Sequence, residues 1–130
     1  MTSIFTRIIQ GEIPSYKILE DEYCLAFLDV FPLVEGHTLV VPKKQVDNIF
    51  DLDEETYARL FAFAKRTESL LRNAISCKRI GIAVIGLEVP HAHIHLVPLN
   101  QVNDINFTQA KLNLSNEQLL AVQARILKQA

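Results

Sequence analysis

Ile4, Phe5, Ile8 and Ile9 recur at helical spacing behind Ser3, a residue type that caps helices, and Gly11 follows Gln10. The chain therefore opens with a short amphipathic helix that runs through Gln10. Pro14 switches the pattern to extended. Tyr16 to Leu19 and Tyr23 to Leu28 read as two strands joined at Glu20-Asp21-Glu22, and Asp29 is the first polar residue after the second, exposed at a strand end. Phe31 to Gly36 is a loop, and His37 to Val41 is a third strand closed by Pro42 and the Lys43-Lys44 turn.

From Asp53 to about Asn73 the period becomes helical, with Leu60, Phe63, Ala64, Thr67, Leu70 and Leu71 near one face. Glu54 and Glu55 in the first turn and Arg72 in the last suit the helix dipole. Lys78 to Ile85 is rich in β-branched residues. Gly86-Leu87-Glu88 then makes a short connection into a strand through His91-Ala92-His93-Ile94-His95, so the two segments are expected to pair as a hairpin. The chain is polar after Pro98 until Ser115-Asn116-Glu117-Gln118, which has the form of a capping box opening a last amphipathic helix through Lys128. About five strands around one long helix predict a single α+β domain with an antiparallel sheet over residues 1–130.

Composition narrows the partners. The 130 residues are 49% hydrophobic and 22% charged, with net charge −2. A chain of this length buries about two thirds of its unfolded surface as one domain, and without a basic excess a nucleic-acid polymer is not the expected partner. No apolar run approaches the ~20 residues of a membrane span, and Met1 to Arg7 lacks the basic and long apolar regions of a signal peptide. Cys24 and Cys77 sit in apolar surroundings without a C-x-x-C pair, which suits buried thiols in a reducing compartment. The expectation is a cytoplasmic protein that does not engage a membrane.

Three of the four histidines, His91, His93 and His95, fall on alternate positions. In a strand they share one face, with Ala92, Ile94 and Leu96 on the other. Neutral imidazole is a nucleophile, a base and a metal ligand. The residues alone thus allow nucleophilic catalysis, a three-imidazole metal site, or a binding module. A catalytic zinc centre normally adds an orienting carboxylate and a water position, neither identifiable in the sequence, so no cofactor and no metal is expected.

His91 to Val97, read as His-x-His-x-His with two apolar residues, resembles the signature of the histidine triad family of nucleotide-binding proteins. Ile4 to Pro14 resembles that family's N-terminal helix and turn, and Ala26 to Asp29 with Gly36 to Lys44 its nucleoside-binding strands, so the likeness covers roughly residues 4 to 98. It implies a small antiparallel sheet with helices, assembled as a homodimer, and cleavage of nucleoside phosphoramidates, adenylates or dinucleoside polyphosphates of the AMP type. By carry-over, His93 is the nucleophile on the α-phosphorus and His91 positions it. His95 and His37 contact the phosphate or assist the leaving group, and Asp29 accepts from the ribose hydroxyls. The apolar face of Leu60, Phe63, Leu70 and Leu71 adds a physical reason for dimerisation.

The chain departs from the family pattern in identifiable places. A zinc-containing branch has cysteines around the start of the first helix and a histidine after the Lys-Lys pair, where this chain has Ser3, Thr6 and Gln45. Many members carry an Asn-rich loop and a Gly-Gln pair before the triad, where this chain has a shortened connection with Gly86-Leu87. Leu87 is therefore expected to cost a side-chain donor at the phosphate. Glu88 reads as hairpin surface and Lys43-Lys44 as a solvated turn.

Overall fold

Each helix begins on a side-chain cap at the residue the sequence indicates. In a computed structural model that describes residues 1–130, Ser3 Oγ accepts from the Thr6 amide at the head of α1 (Ile4–Ile9). Asp53 caps α2 (Glu54–Ala74), and Ser115 with Gln118 forms the capping box of α3 (Asn116–Leu127). These bonds satisfy amide hydrogens that a helix start leaves without partners.

Five strands form one antiparallel sheet: β1 (Lys17–Glu20), β2 (Cys24–Leu28), β3 (Thr38–Pro42), β4 (Arg79–Ala83) and β5 (Ile94–Leu99), in the order β1-β2-β3-β5-β4. All residues of β2 and β3 are buried, so these central strands are covered on both faces. Alternation sorts their side chains. Ala26, Leu28, Val40, Ile94 and Leu96 join Leu60, Phe63 and Leu71 of α2 and Leu119, Val122 and Ile126 of α3 in an apolar cluster of 18 residues. On the opposite face Leu25, Phe27, Leu39 and Val41 meet Phe5 and Ile8 of α1 in a cluster of six.

Two expectations are corrected. β4 and β5 do pair antiparallel, from Arg79 opposite Leu99 to Ala83 opposite His95, but residues 84–93 between them are no tight turn. Only His95 of the triad lies within β5; His91 and His93 precede it. The cause is a local turn and a tertiary bond: the His91 amide donates to Val89 O at 2.8 Å and the Ala92 amide to Val46 O at 2.7 Å, which takes both out of the sheet ladder. Second, the apolar stripe of α2 covers the chain's own sheet, with Leu60, Phe63 and Leu71 in the core. Phe61 and Leu70, at the margins of the stripe, stay half-buried.

Beyond β5, a short 3-10 turn (Val102–Ile105) folds the chain back. Leu112 N donates to Pro32 O at 2.8 Å, and Lys111 Nζ to Phe107 O at 3.1 Å, which holds residues 107–112 against the loop before β3. The face of the sheet opposite α2 is thus covered by α1 on one side and by this returning segment on the other.

Candidate active site

Gly36 begins the site. Its φ of +94° favours glycine, and a Cβ there would lie 3.1 Å from Ile75 Cγ1 and 3.2 Å from Pro98 Cγ. This turn delivers His37 to the face that carries Leu39 and Val41. Register then aligns the neighbours: the Asp29 amide donates to His37 O at the end of β2, and Leu39 pairs with His95 across β3 and β5. His93 continues the row, its ring centroid 5.0 Å from that of His95. Phe5 of α1 stands edge-on to His93 at 4.9 Å, and Phe107 of the returning segment edge-on to His95 at 4.7 Å. Asp29, His37, His93 and His95 are therefore brought together between two aromatic walls.

Hydrogen bonds assign the tautomers. His37 Nδ1 accepts the Leu33 amide at 3.0 Å, so its proton sits on Nε2 and is donated to His95 Nδ1, also at 3.0 Å. Neutral His95 then carries its own proton on Nε2. His93 Nδ1 lies 2.7 Å from the His91 carbonyl, which can only accept, so the proton is on Nδ1 and the Nε2 lone pair is free. By the same reasoning His91 donates from Nε2 to Pro42 O at 2.8 Å and accepts at Nδ1 from Ser3 Oγ at 2.7 Å. The arrangement presents one bare nitrogen, His93 Nε2, beside one N–H donor, His95 Nε2. Neither has a protein partner, and neither is sealed from solvent, since the only buried side-chain polar atom without a partner is Ser15 Oγ.

Burial keeps the imidazoles neutral, as the charged form loses its hydration. It pulls His37 down to about 3, with His95 and the Lys111 ammonium adding to the effect. His95 falls to about 4, through burial first and then His93 and Lys111. His91 and His93 are lowered by burial too, partly offset by the carbonyls they donate to, and at His93 also by Glu88. Burial raises Asp29, which the Phe31 amide and Lys111 partly oppose. Asp29 Oδ2 lies 3.7 Å from His37 Nε2, but with His37 neutral this contact is no salt bridge. Asp29 keeps oxygen lone pairs for another donor, since only Oδ1 is engaged, at 2.9 Å by the Phe31 amide.

His37 is placed behind His95, with both ring nitrogens used and 1% of its surface exposed, so it reaches the open side only through its neighbour. His91 lies wholly buried at the edge of the row. The three triad rings do not form a metal cage; the atoms close enough to share an ion belong to Asp29, His37 and His95, within 4.8 Å of one another. Ser3, Thr6 and Gln45 do converge on His91, but two hydroxyls and an amide beside one imidazole do not match zinc's preference for thiolate, imidazole or carboxylate.

Sequence reasoning missed Phe107 and Lys111, which reach the site from a polar segment with no motif of its own. Glu88 is exposed, as expected of a surface residue, and its charge reaches His93 and Asp29. Leu87 is 88% exposed and so stands out in solvent, against the expectation that it lines the phosphate site. Lys43 and Lys44 pair with Glu20 and Asp53, as a turn on the surface does.

Comparison with known proteins agrees with this geometry. The family model for the HIT domain matches residues 10–102. An "Uncharacterized HIT-like protein" of Borreliella burgdorferi is 35% identical over 131 aligned positions, covering 95% of this chain and 94% of its own. The adenosine 5'-monophosphoramidase HNT1 of Saccharomyces cerevisiae is 35% identical over 96 positions, 73% of this chain and 61% of that one. Among solved structures, a Hit-like protein from Bartonella henselae, described as involved in cell-cycle regulation, superposes with a TM-score of 0.86 at 27% identity, over 99% of this chain and 97% of that one. The chain belongs to the HIT family. No helix is long and apolar enough to cross a membrane.

Proposed function

We propose that the chain is a nucleotide-binding hydrolase or transferase that cleaves at the α-phosphorus of AMP-type phosphoramidates, adenylates or dinucleoside polyphosphates through a nucleotidyl-His93 intermediate. The observation that carries this reading is the fixed tautomer of His93: its Nδ1 proton is tied to the His91 carbonyl, which leaves the Nε2 lone pair for attack. The monophosphoramidase activity named for the yeast relative supports the same substrate class.

In the first step His93 Nε2 forms a bond to phosphorus while the bond to the leaving amine nitrogen, phosphate oxygen or acyl oxygen breaks; His95 Nε2–H donates a hydrogen bond to the leaving atom, an amine takes its proton from water, and a phosphate or carboxylate departs as the anion. Water then attacks the phosphorus, the P–Nε2 bond breaks, and the proton of that water is released to solvent. Two modest displacements replace one difficult one. Asp29 accepts from the ribose hydroxyls through its carboxylate oxygens, and Phe5, Phe27 and Leu39 back the same face as a buried apolar cluster. Turnover of adenosine 5'-phosphoramidate, with intact-protein mass spectrometry during the reaction, tests the reading. An adduct of one AMP on wild type and none on His93→Ala is expected; full activity in His93→Ala would overturn it.

The chain acts as a homodimer in this reading. With Leu60, Phe63 and Leu71 of α2 committed to the core, the support comes from β4, an edge strand with Ile82 half exposed beside a groove lined by Phe61 and Ala64 of α2 with Ile80 and Leu96. Pairing two such edges removes both from solvent. Light scattering at micromolar concentration should give twice the chain mass, and Ile82→Glu should give the monomer. Free Cys24, its thiol pushed up to about 11 by burial, suits the cytoplasm.

A further inference from the structure

The buried hydroxyl of Ser3 does more than start α1. Ser3 is 5% exposed and His91 fully buried, so every polar atom between them needs a partner. Thr6 Oγ1 lies 2.6 Å from Gln45 Oε1 and donates its proton there, while the Ser3 amide donates to the same oxygen at 2.8 Å. Gln45 Nε2 closes the ring by donating to Met1 O at 2.7 Å. Ser3 Oγ accepts from the Thr6 amide at 3.0 Å, which leaves its single proton a choice between Thr6 Oγ1 at 3.2 Å and His91 Nδ1 at 2.7 Å. His91 Nε2 already donates to Pro42 O, so neutral His91 must accept at Nδ1, and the Ser3 proton goes there. Every donor in the cluster then has one acceptor.

His91 is thereby held at both ring nitrogens, by α1 on one side and by the end of β3 on the other. Its backbone is held as well, through its own amide to Val89 O and the following amide of Ala92 to Val46 O. The carbonyl between those two amides is the one that receives the His93 Nδ1 proton. We propose that Ser3, braced by Thr6 and Gln45, is a positioning residue for His93: it fixes the His91 ring, and with it the carbonyl that keeps the His93 proton on Nδ1. The functional half of this inference rests on His93 being the nucleophile. The tautomer half does not.

Ser3→Gly is the informative variant, because glycine is among the residues tolerated at a helix N-cap, yet it removes the hydroxyl. Gln45→Leu removes the brace from an exposed position, and Ser3→Thr restores a hydroxyl that both caps and donates. Nitrogen-15 NMR of the imidazoles reads the tautomers without any substrate. Wild type and Ser3→Thr should show His93 protonated at Nδ1 alone, whereas Ser3→Gly and Gln45→Leu should show it exchanging between the two nitrogens. With adenosine 5'-phosphoramidate, kcat in those two variants should fall by about tenfold, the effect of one lost contact in the transition state, with KM unchanged and activity regained in Ser3→Thr. A folded Ser3→Gly with the wild-type His93 tautomer overturns the positioning role. A shifted tautomer with unchanged kcat overturns its link to turnover. If wild type turns over none of the proposed substrates, the functional reading fails while the NMR still decides the tautomer.

Discussion

The two faces of the sheet are built from the same strands and divided between different tasks. Under α2 and α3, 18 buried residues interlock in one cluster that contains no titratable group except the Cys24 thiol. On the other face six apolar residues share the sheet with four buried imidazoles, and the cover is split between a six-residue helix and the segment that returns after β5. Apolar burial is the main source of stability, so the first face holds the fold and the second is left open enough to hold chemistry. Alternation along β2, β3 and β5 makes this division possible, since each strand serves both faces at once.

Substitutions that act on one face alone test that division. The largest separation is expected from His93→Ala, which should lower turnover by about three or more powers of ten, as loss of a covalent nucleophile does, while thermal unfolding stays near that of wild type. Phe63→Ala should do the reverse: about 3–5 kcal/mol of stability lost, by denaturant titration, with kcat retained at temperatures where the chain is folded. A shared loss of kcat and stability in both variants would deny that the faces are separate.

Acid should break the histidine face first. Unfolded imidazoles titrate near 6.5, whereas folded His37 and His95 do so at about 3 and about 4. As the pH falls below 6.5 the unfolded chain takes up protons that the folded chain refuses, so stability drops by about 1.4 kcal/mol per pH unit for each group until its folded value is reached. Denaturant midpoints between pH 7 and 4 measure this slope, and a flat profile counts against neutral buried imidazoles. Because His93 is also lowered, the acid limb of turnover should lie below 6.5.

A smaller effect belongs to Asp29. Asp29→Ala should weaken nucleotide binding by about 1.5–3 kcal/mol, the range for hydrogen bonds to a charged group, and remove the preference for ribose over deoxyribose in calorimetric titrations. The smallest is expected at Leu87, where exposure replaces the contact that family likeness suggests. Leu87→Gln should change stability by less than about 0.5 kcal/mol, as surface substitutions usually do, and leave kcat near that of wild type; a tenfold faster steady-state rate would show that Leu87 turns inward to the substrate.

What the sequence made legible was local. The caps at Ser3, Asp53 and Ser115, the alternation that puts Ala92, Ile94 and Leu96 in the core, and the strands on either side of Asp29 are written in neighbouring residues. The family likeness picked out Asp29, His37, His93 and His95, four residues the fold brings together. What stayed hidden depends on partners far along the chain. The start of β5 is set by Val46 O drawing off the Ala92 amide, the surroundings of His91 by Ser3 and Gln45, and the wall over His95 by Phe107. The stripe on α2 was visible, but periodicity cannot say whether a stripe faces its own sheet or another molecule.

The bond from Ala92 to Val46 has one more consequence, for how such a site diverges. Residues 84–90 leave the sheet after Ala83, with Val84, Ile85 and Leu87 exposed, and the chain is caught again at His91 and Ala92. A change in the length or sequence of that loop meets the catch before it meets His93, so the imidazole row keeps its place. Under the function proposed above, a lineage is free to rebuild the exposed loop while inheriting the row beneath it.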